Sequence, residues 1–114
     1  MTEQDNNPEL YAEQLATQLR KGFLAFCVLK TCSHQPKYTS DIIMQLRDAQ
    51  LVVVEGTIYP LLSRLQKDGL LSHEWQESEQ GPPRKYYQTT DYGNQVVTLV
   101  AQNIANLTTT LKKL

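Results

Sequence analysis

Residues 55–77 read EGTIYPLLSRLQKDGLLSHEWQE, and the period of their apolar residues changes once, at Gly69. Before that glycine, Ile58, Leu61, Leu62 and Leu65 recur at helical spacing and predict one buried face of a helix from about Glu55 to Asp68. Gly69 stands where such a helix ends in a left-handed residue, with apolar Leu70 behind it. After it, Leu71, His73, Trp75 and Glu77 alternate with Ser72, Glu74 and Gln76, the period of a strand. Pro60 is discordant: its ring opposes the carbonyl of residue 56, so the regular helix is expected to start late or bend there.

Downstream, Glu79-Gln80-Gly81-Pro82-Pro83 reads as a turn and Arg84–Thr89 as a second strand, together a β-hairpin. Thr90 then caps a last helix with Asp91 in its first turn. Along that helix Gly93, Val97, Val100, Ile104, Leu107, Leu111 and Leu114 are spaced 4, 3, 4, 3, 4, 3, with polar residues between them. So narrow a seam suits a partner helix better than a broad core of its own domain, and predicts a homodimer.

Upstream, the β-branched run Leu51–Val54 reads as one short strand. Tyr38-Thr39-Ser40-Asp41 opens a second helix, capped by Thr39 or Ser40, with Ile42, Ile43 and Leu46 inside. Asn7-Pro8-Glu9 starts the first helix, which carries Leu15, Leu19, Phe23 and Phe26 at helical spacing and stops near Cys32-Ser33. The polar first seven residues are expected to fray.

Helix, helix, short strand, helix, hairpin, helix is mainly α with a small β-hairpin. It is the layout of a winged helix-turn-helix over residues 1–90, with a dimerisation helix at 91–114. In that layout the third helix enters the major groove and the hairpin is the wing. At 100° per residue, the face opposite the leucines holds Gly56, Pro60, Ser63 and Lys67, flanked by Tyr59 and Arg64. Thr57, Tyr59 and Ser63 are candidate hydrogen-bonding contacts to phosphates or base edges, and Arg64 and Lys67 supply charge. Arg84 and Lys85, just past a Gly-Pro-Pro tip, are the candidate wing cations, and Tyr38, Thr39 and Ser40 join the candidate DNA contacts. Leu15, Leu19, Val97, Val100, Ile104, Leu107 and Leu111 are the candidate dimer interface.

The whole-chain totals weigh against a strongly basic DNA binder, since 11 Lys+Arg face 12 Asp+Glu over 114 residues. Position changes that balance. Residues 1–19 hold Glu3, Asp5, Glu9 and Glu13 and no base, so the remainder carries eleven bases against eight acids, a net +3. A winged-helix dimer that binds a protein rather than DNA is the alternative favoured by the near-neutral total. No catalytic constellation or phosphate-cradling glycine loop is legible, so no enzyme and no cofactor are expected. Cys27 and Cys32 lie too far apart on one helix to bridge, which suits a reducing cytoplasm. The two histidines and two cysteines are not in paired ligand spacing, so no metal site is expected. The longest apolar run, Phe23–Leu29, falls far short of the roughly 20 residues of a membrane span.

The motifs Glu55-Gly56-Thr57-Ile58-Tyr59-Pro60-Leu61-Leu62, Arg64-Leu65, Asp68-Gly69-Leu70 and Gly81-Pro82-Pro83-Arg84-Lys85-Tyr86-Tyr87 closely resemble those of the PadR family of bacterial transcriptional regulators. Gln18-Leu19-Arg20-Lys21-Gly22 and Asp41-Ile42-Ile43 also match its pattern, and the similarity covers roughly residues 18–100. The single C-terminal helix resembles the short subfamily. The resemblance implies a homodimeric winged-helix repressor released by a small ligand or stress, and the geometry of such a dimer predicts a palindromic operator with half-sites about 10 bp apart or a multiple of that. Val54 departs from the small polar cap usual before Glu55, and Thr89 from a frequent leucine. Some short members stack flat drugs on an aromatic residue of the last helix; its counterpart here is Ile104, so the resemblance names no effector.

Overall fold

The computed structural model describes residues 7–114, so the fraying expected of the first residues lies outside it apart from Asn7. Seven elements follow in order: α1 (Pro8–Thr31), β1 (Lys37–Tyr38), α2 (Thr39–Asp48), α3 (Glu55–Lys67), β2 (Leu71–Ser78), β3 (Gly81–Thr89) and α4 (Asp91–Lys113). The architecture is mainly helical with a small antiparallel sheet, the winged-helix arrangement expected.

Local chemistry explains most of the boundaries. Asn7 Oδ1 accepts from the N–H groups of Glu9 (3.0 Å) and Leu10 (3.2 Å), with Pro8 at the first helical position. Gly69 sits at φ +80°, and its N–H and that of Leu70 donate to the carbonyls of Gln66 (3.0 Å) and Leu65 (2.9 Å), closing α3. The α2–α3 turn uses the same device with a less suited residue: Gln50 is at φ 71°, and Leu51 N–H donates to Leu46 O at 2.9 Å. The helix assignment of α3 runs through Pro60 without interruption.

Two expectations about strands are corrected. Residues 51–54 are extended but pair with no strand; Val52 is 90% exposed while Val53 is buried. Arg47 Nη2 donates to Val53 O (3.1 Å) and holds the segment without a ladder. The third strand is instead Lys37–Tyr38, which pairs with Tyr87 and Tyr86 and makes the sheet order β1-β3-β2. The expected turn at 79–83 shrinks to Glu79-Gln80, because Ser78 pairs with Gly81. Pro82 and Pro83 fit inside β3 because the register slips there: together they stand opposite Glu77, and β1 does not reach that far. A third correction concerns the start of α2. Thr39 is inside the helix and buried, Tyr38 takes the N-cap position, and Asp41 Oδ2 accepts from Tyr38 N–H at 3.5 Å.

The core gathers Val28, Leu29 and Cys32 of the α1 end, Ile42 and Leu46 of α2, Ile58, Leu62 and Leu65 of α3, and Leu71 and Tyr87 of the sheet. Thr89 ties the sheet to α1: its Oγ1 donates to Leu29 O (2.6 Å) and its N–H to Cys32 O (3.0 Å). A leucine there would pack but leave Leu29 O without that donor. The base of α4 is pinned just as closely. Thr90 Oγ1 accepts from Gly93 N–H (2.9 Å) and donates to Gly69 O (2.7 Å). Gly93 is pressed against Leu70 O and Thr89 Cγ2, where an added Cβ would lie 2.3 and 2.6 Å away. Cys32, not Cys27, is the fully buried thiol, and desolvation pushes it up to about 12; Cys27 is only half-buried.

Candidate nucleic-acid interface

The outer face of α3 follows from the burial of Ile58, Leu61, Leu62 and Leu65. Gly56, Pro60, Ser63 and Lys67 are all exposed and lie opposite that face. Tyr59, 51% exposed, flanks them on one side. Thr57 and Arg64 are exposed but lie on the other flank, where they line grooves against Lys21 and Leu24 of α1. Arg64 also borders an apolar cavity of about 370 Å³ between α1, α3 and α4, lined by Phe26, Leu29, Val97 and Val100 among others. The candidate α3 contacts therefore divide into an outward set and a set facing α1. Val54 at the N-cap supplies no side-chain hydrogen bond, and while Thr57 N–H donates to Val54 O (3.0 Å), the N–H groups of Glu55 and Gly56 are left for an acceptor.

The wing differs from its expected form. Its outer end carries Glu79 and Gln80, whereas Arg84 pairs with Gln76 and Lys85 with Trp75. Because of the bulge, Arg84 is level with a residue only two positions in from Ser78, about 7 Å along the strand at 3.3 Å per residue. The two cations point to opposite faces. Lys85 Nζ lies 5.3 Å from the Tyr87 ring, on the face that Leu71 and Thr89 turn inward. Arg84 lies on the other face, its guanidinium carbon 4.6 Å from the centre of the Tyr38 ring, which is in turn 5.4 Å from that of Tyr86. Among the described residues the one ion pair is Arg20–Glu13 on α1, so Lys67, Arg84 and Lys85 are not neutralised by carboxylates.

Of the candidate α2 contacts, Ser40 is exposed, Tyr38 is half-buried beneath Arg84, and Thr39 turns its side chain into the protein. Burial removes Thr39 from the surface on which it was expected. Tyr86 was not singled out in the sequence; only its cross-strand pairing with Tyr38 reveals it.

The seam on α4 is in two parts. Val97, Val100 and Ile104 are half-buried, and Val97 packs against the core. Leu107, Leu111 and Leu114 are 66, 72 and 97% exposed. On α1, Leu15 (61%) and Leu19 (74%) are exposed together with Tyr11 and Phe23, an unbroken stripe at spacing four. Tyr11 and Phe23 were not assigned to the interface, although the spacing carries the signal. The chain measures 58 × 31 × 25 Å, elongated by these helix ends. Among the described residues no helix is long and apolar enough to cross a membrane.

Comparison with known proteins accords with this geometry. The model of the transcriptional regulator PadR-like family matches residues 28–99. A PadR-like transcription factor from Bacteroides fragilis is 46% identical, with a TM-score of 0.76, over 88% of this chain and 97% of its own. A PadR family transcriptional regulator from Eggerthella lenta is 33% identical, TM-score 0.79, covering 90% of each chain. A PadR-like transcriptional regulator from Bacillus cereus is 34% identical, TM-score 0.74, covering 84% and 94%. No curated protein matches. With α3 facing outward beside a cationic wing, and with these relatives spanning nearly the whole chain, the protein belongs to the PadR-like family of DNA-binding transcriptional regulators.

Proposed function

We propose that the protein works as a homodimeric repressor on a palindromic operator in the cytoplasm. Its winged helix-turn-helix would span residues 1–90 and its dimerisation helix 91–114. The observation that carries this reading is the pair of uncovered apolar stripes, Tyr11-Leu15-Leu19-Phe23 on α1 and Leu107-Leu111-Leu114 on α4. Both are rows of exposed large apolar residues on one helix each, and large exposed apolar patches are rare on a monomer. A second copy is the occupant whose own stripes match, and a two-fold interface presents the same patch from both sides. Two-fold symmetry doubles the modest set of cations and orients two α3 helices toward successive major grooves.

Ser63 and Lys67 at the centre of the outward face, with Tyr59 beside them, are assigned to the groove; Ser40, Arg84 and Lys85 are assigned to the backbone. Thr57 and Arg64 contact DNA only at its edge, a role that their position toward α1 supports. The cavity of about 370 Å³ between α1, α3 and α4 has the size and apolar lining of a small-effector site.

Footprinting on the region upstream of its own gene tests the operator, with two protected half-sites expected about 10 bp apart or a multiple of that. A single unsymmetric footprint, or a monomer by sedimentation, refutes the symmetric reading. A reporter driven by the footprinted promoter is expected to rise when the protein is removed; a fall would make it an activator.

A further inference from the structure

We propose that Tyr38 is a positioning residue for Arg84, holding the wing's guanidinium ready for a DNA phosphate rather than touching DNA itself. The inference rests on the DNA-binding reading and adds a division of labour within it. Three observations converge on it. The Arg84 guanidinium carbon lies 4.6 Å from the Tyr38 ring centre, within cation–π distance. The ring itself is held, because Tyr38 is half-buried and its ring lies 5.4 Å from that of Tyr86 at 43°. The backbone beneath it is fixed twice, by pairing with Tyr86 in the sheet and by the bond from its N–H to Asp41 at the start of α2.

An arginine on a bare strand loses much rotamer freedom when it grips a phosphate. Stacking on a ring that is already immobile removes part of that loss before DNA arrives. No ion pair involving Arg84 occurs among the described residues, so the donors on its edge stay available while its face rests on the ring. The same stack joins the wing to the start of α2.

A phosphate contact is read on any sequence, so the probe is a fluorescein-labelled random-sequence duplex titrated at low salt. Arg84→Ala is expected to weaken binding and lower the salt slope by about 1. Tyr38→Leu should weaken binding about threefold, the scale of an exposed cation–π contact. Tyr38→Phe, which keeps the ring and loses the hydroxyl, should bind like the parent. In the Arg84→Ala background, Tyr38→Leu should have no further effect.

The proposal is overturned if Tyr38→Leu binds like the parent. It is equally overturned if Tyr38→Phe is as weak as Tyr38→Leu, which would make the hydroxyl a direct contact. Full multiplication of the two losses in the double variant also overturns it, and is what a folding defect at Tyr38 would give. Absence of salt-dependent binding by the unaltered protein would instead remove the DNA reading on which the proposal stands.

Discussion

Gly93 sits where α4 leaves the domain, and replacing it with alanine tests how tightly that joint is built. A Cβ at this position would stand 2.3 Å from the carbonyl oxygen of Leu70 and 2.6 Å from Thr89 Cγ2. Ordinary carbon–oxygen contact needs roughly 1 Å more than the first of these. The obstructing atom is backbone in the α3–β2 turn and cannot swing aside, so α4 must shift. Overpacking of this kind costs about 3 kcal/mol at the upper end of its range. The shift also strains the cap from Gly93 N–H to Thr90 Oγ1, at 2.9 Å, worth about 1 kcal/mol. Better helix propensity of alanine returns about 1 kcal/mol. The net expectation is a loss of about 3 kcal/mol, or roughly 10 °C in Tm for a chain of this size. Urea and thermal unfolding followed by circular dichroism, at one fixed protein concentration, measures it. Gly22→Ala is the control: nothing lies within 4 Å of its Cβ, and it should stabilise by about 0.5–1 kcal/mol. If Gly93→Ala matches the parent, or gains as the control does, the close-approach reasoning is wrong.

Three other expectations are simpler to check. Leu107→Glu puts a carboxylate on an exposed apolar position and should shift the sedimentation pattern toward monomer without lowering monomer helicity; an unchanged dimer would exclude that half of α4 from the interface. Lys67→Ala should weaken binding to all DNA sequences alike and reduce the salt slope by about 1, read from titrations at several salt concentrations; an unchanged slope removes Lys67 from the phosphate contacts. Cys32 is pushed up to about 12 by burial, so the folded state keeps its proton after the unfolded chain has lost it near 9. Stability should therefore fall as pH rises above about 9, levelling only near 12, and Cys32→Ser should flatten that part of the profile. Labelling of the native protein at pH 8 is expected to modify Cys27 before Cys32, and the reverse order would contradict the burial.

Features governed by neighbours in sequence were legible before the fold was known. The Asn7-Pro8 start, the Gly69-Leu70 stop and the Thr90 cap each need only three to five consecutive residues, and each stands as expected. The strand at Lys37–Tyr38 had no such signal. It exists because Tyr86 and Tyr87 arrive beside it from far along the chain. The valine run 51–54 had a strong strand composition but pairs with neither edge of the sheet, and Arg47 takes the carbonyl of Val53 instead. The site divides the same way. Projection around α3 found the outward position of Ser63 and Lys67. It could not tell that α1 would stand beside Thr57 and Arg64, or that Thr39 would turn inward. The α4 seam was legible as a repeat, but α1 covers its first half and leaves the second open, and repeat spacing alone does not separate the two.

The displacement of the cations from the hairpin's end has a consequence for how the wing can meet a duplex. Glu79 stands in the turn at the outer end, while Arg84 and Lys85 stand level with Gln76 and Trp75, two and three residues in from Ser78, about 7 and 10 Å along the strand. The outermost charge of the hairpin is thus negative, with both cations behind it. Driven end-on toward phosphates, such a wing leads with a carboxylate, and its cations trail by a distance comparable to the Debye length of about 8 Å at physiological salt. Laid broadside on the face that carries Arg84, it brings that guanidinium to the backbone and leaves Glu79 beyond the contact. The carboxylate at the tip therefore works as an angular filter, disfavouring approaches in which the wing leads with its tip.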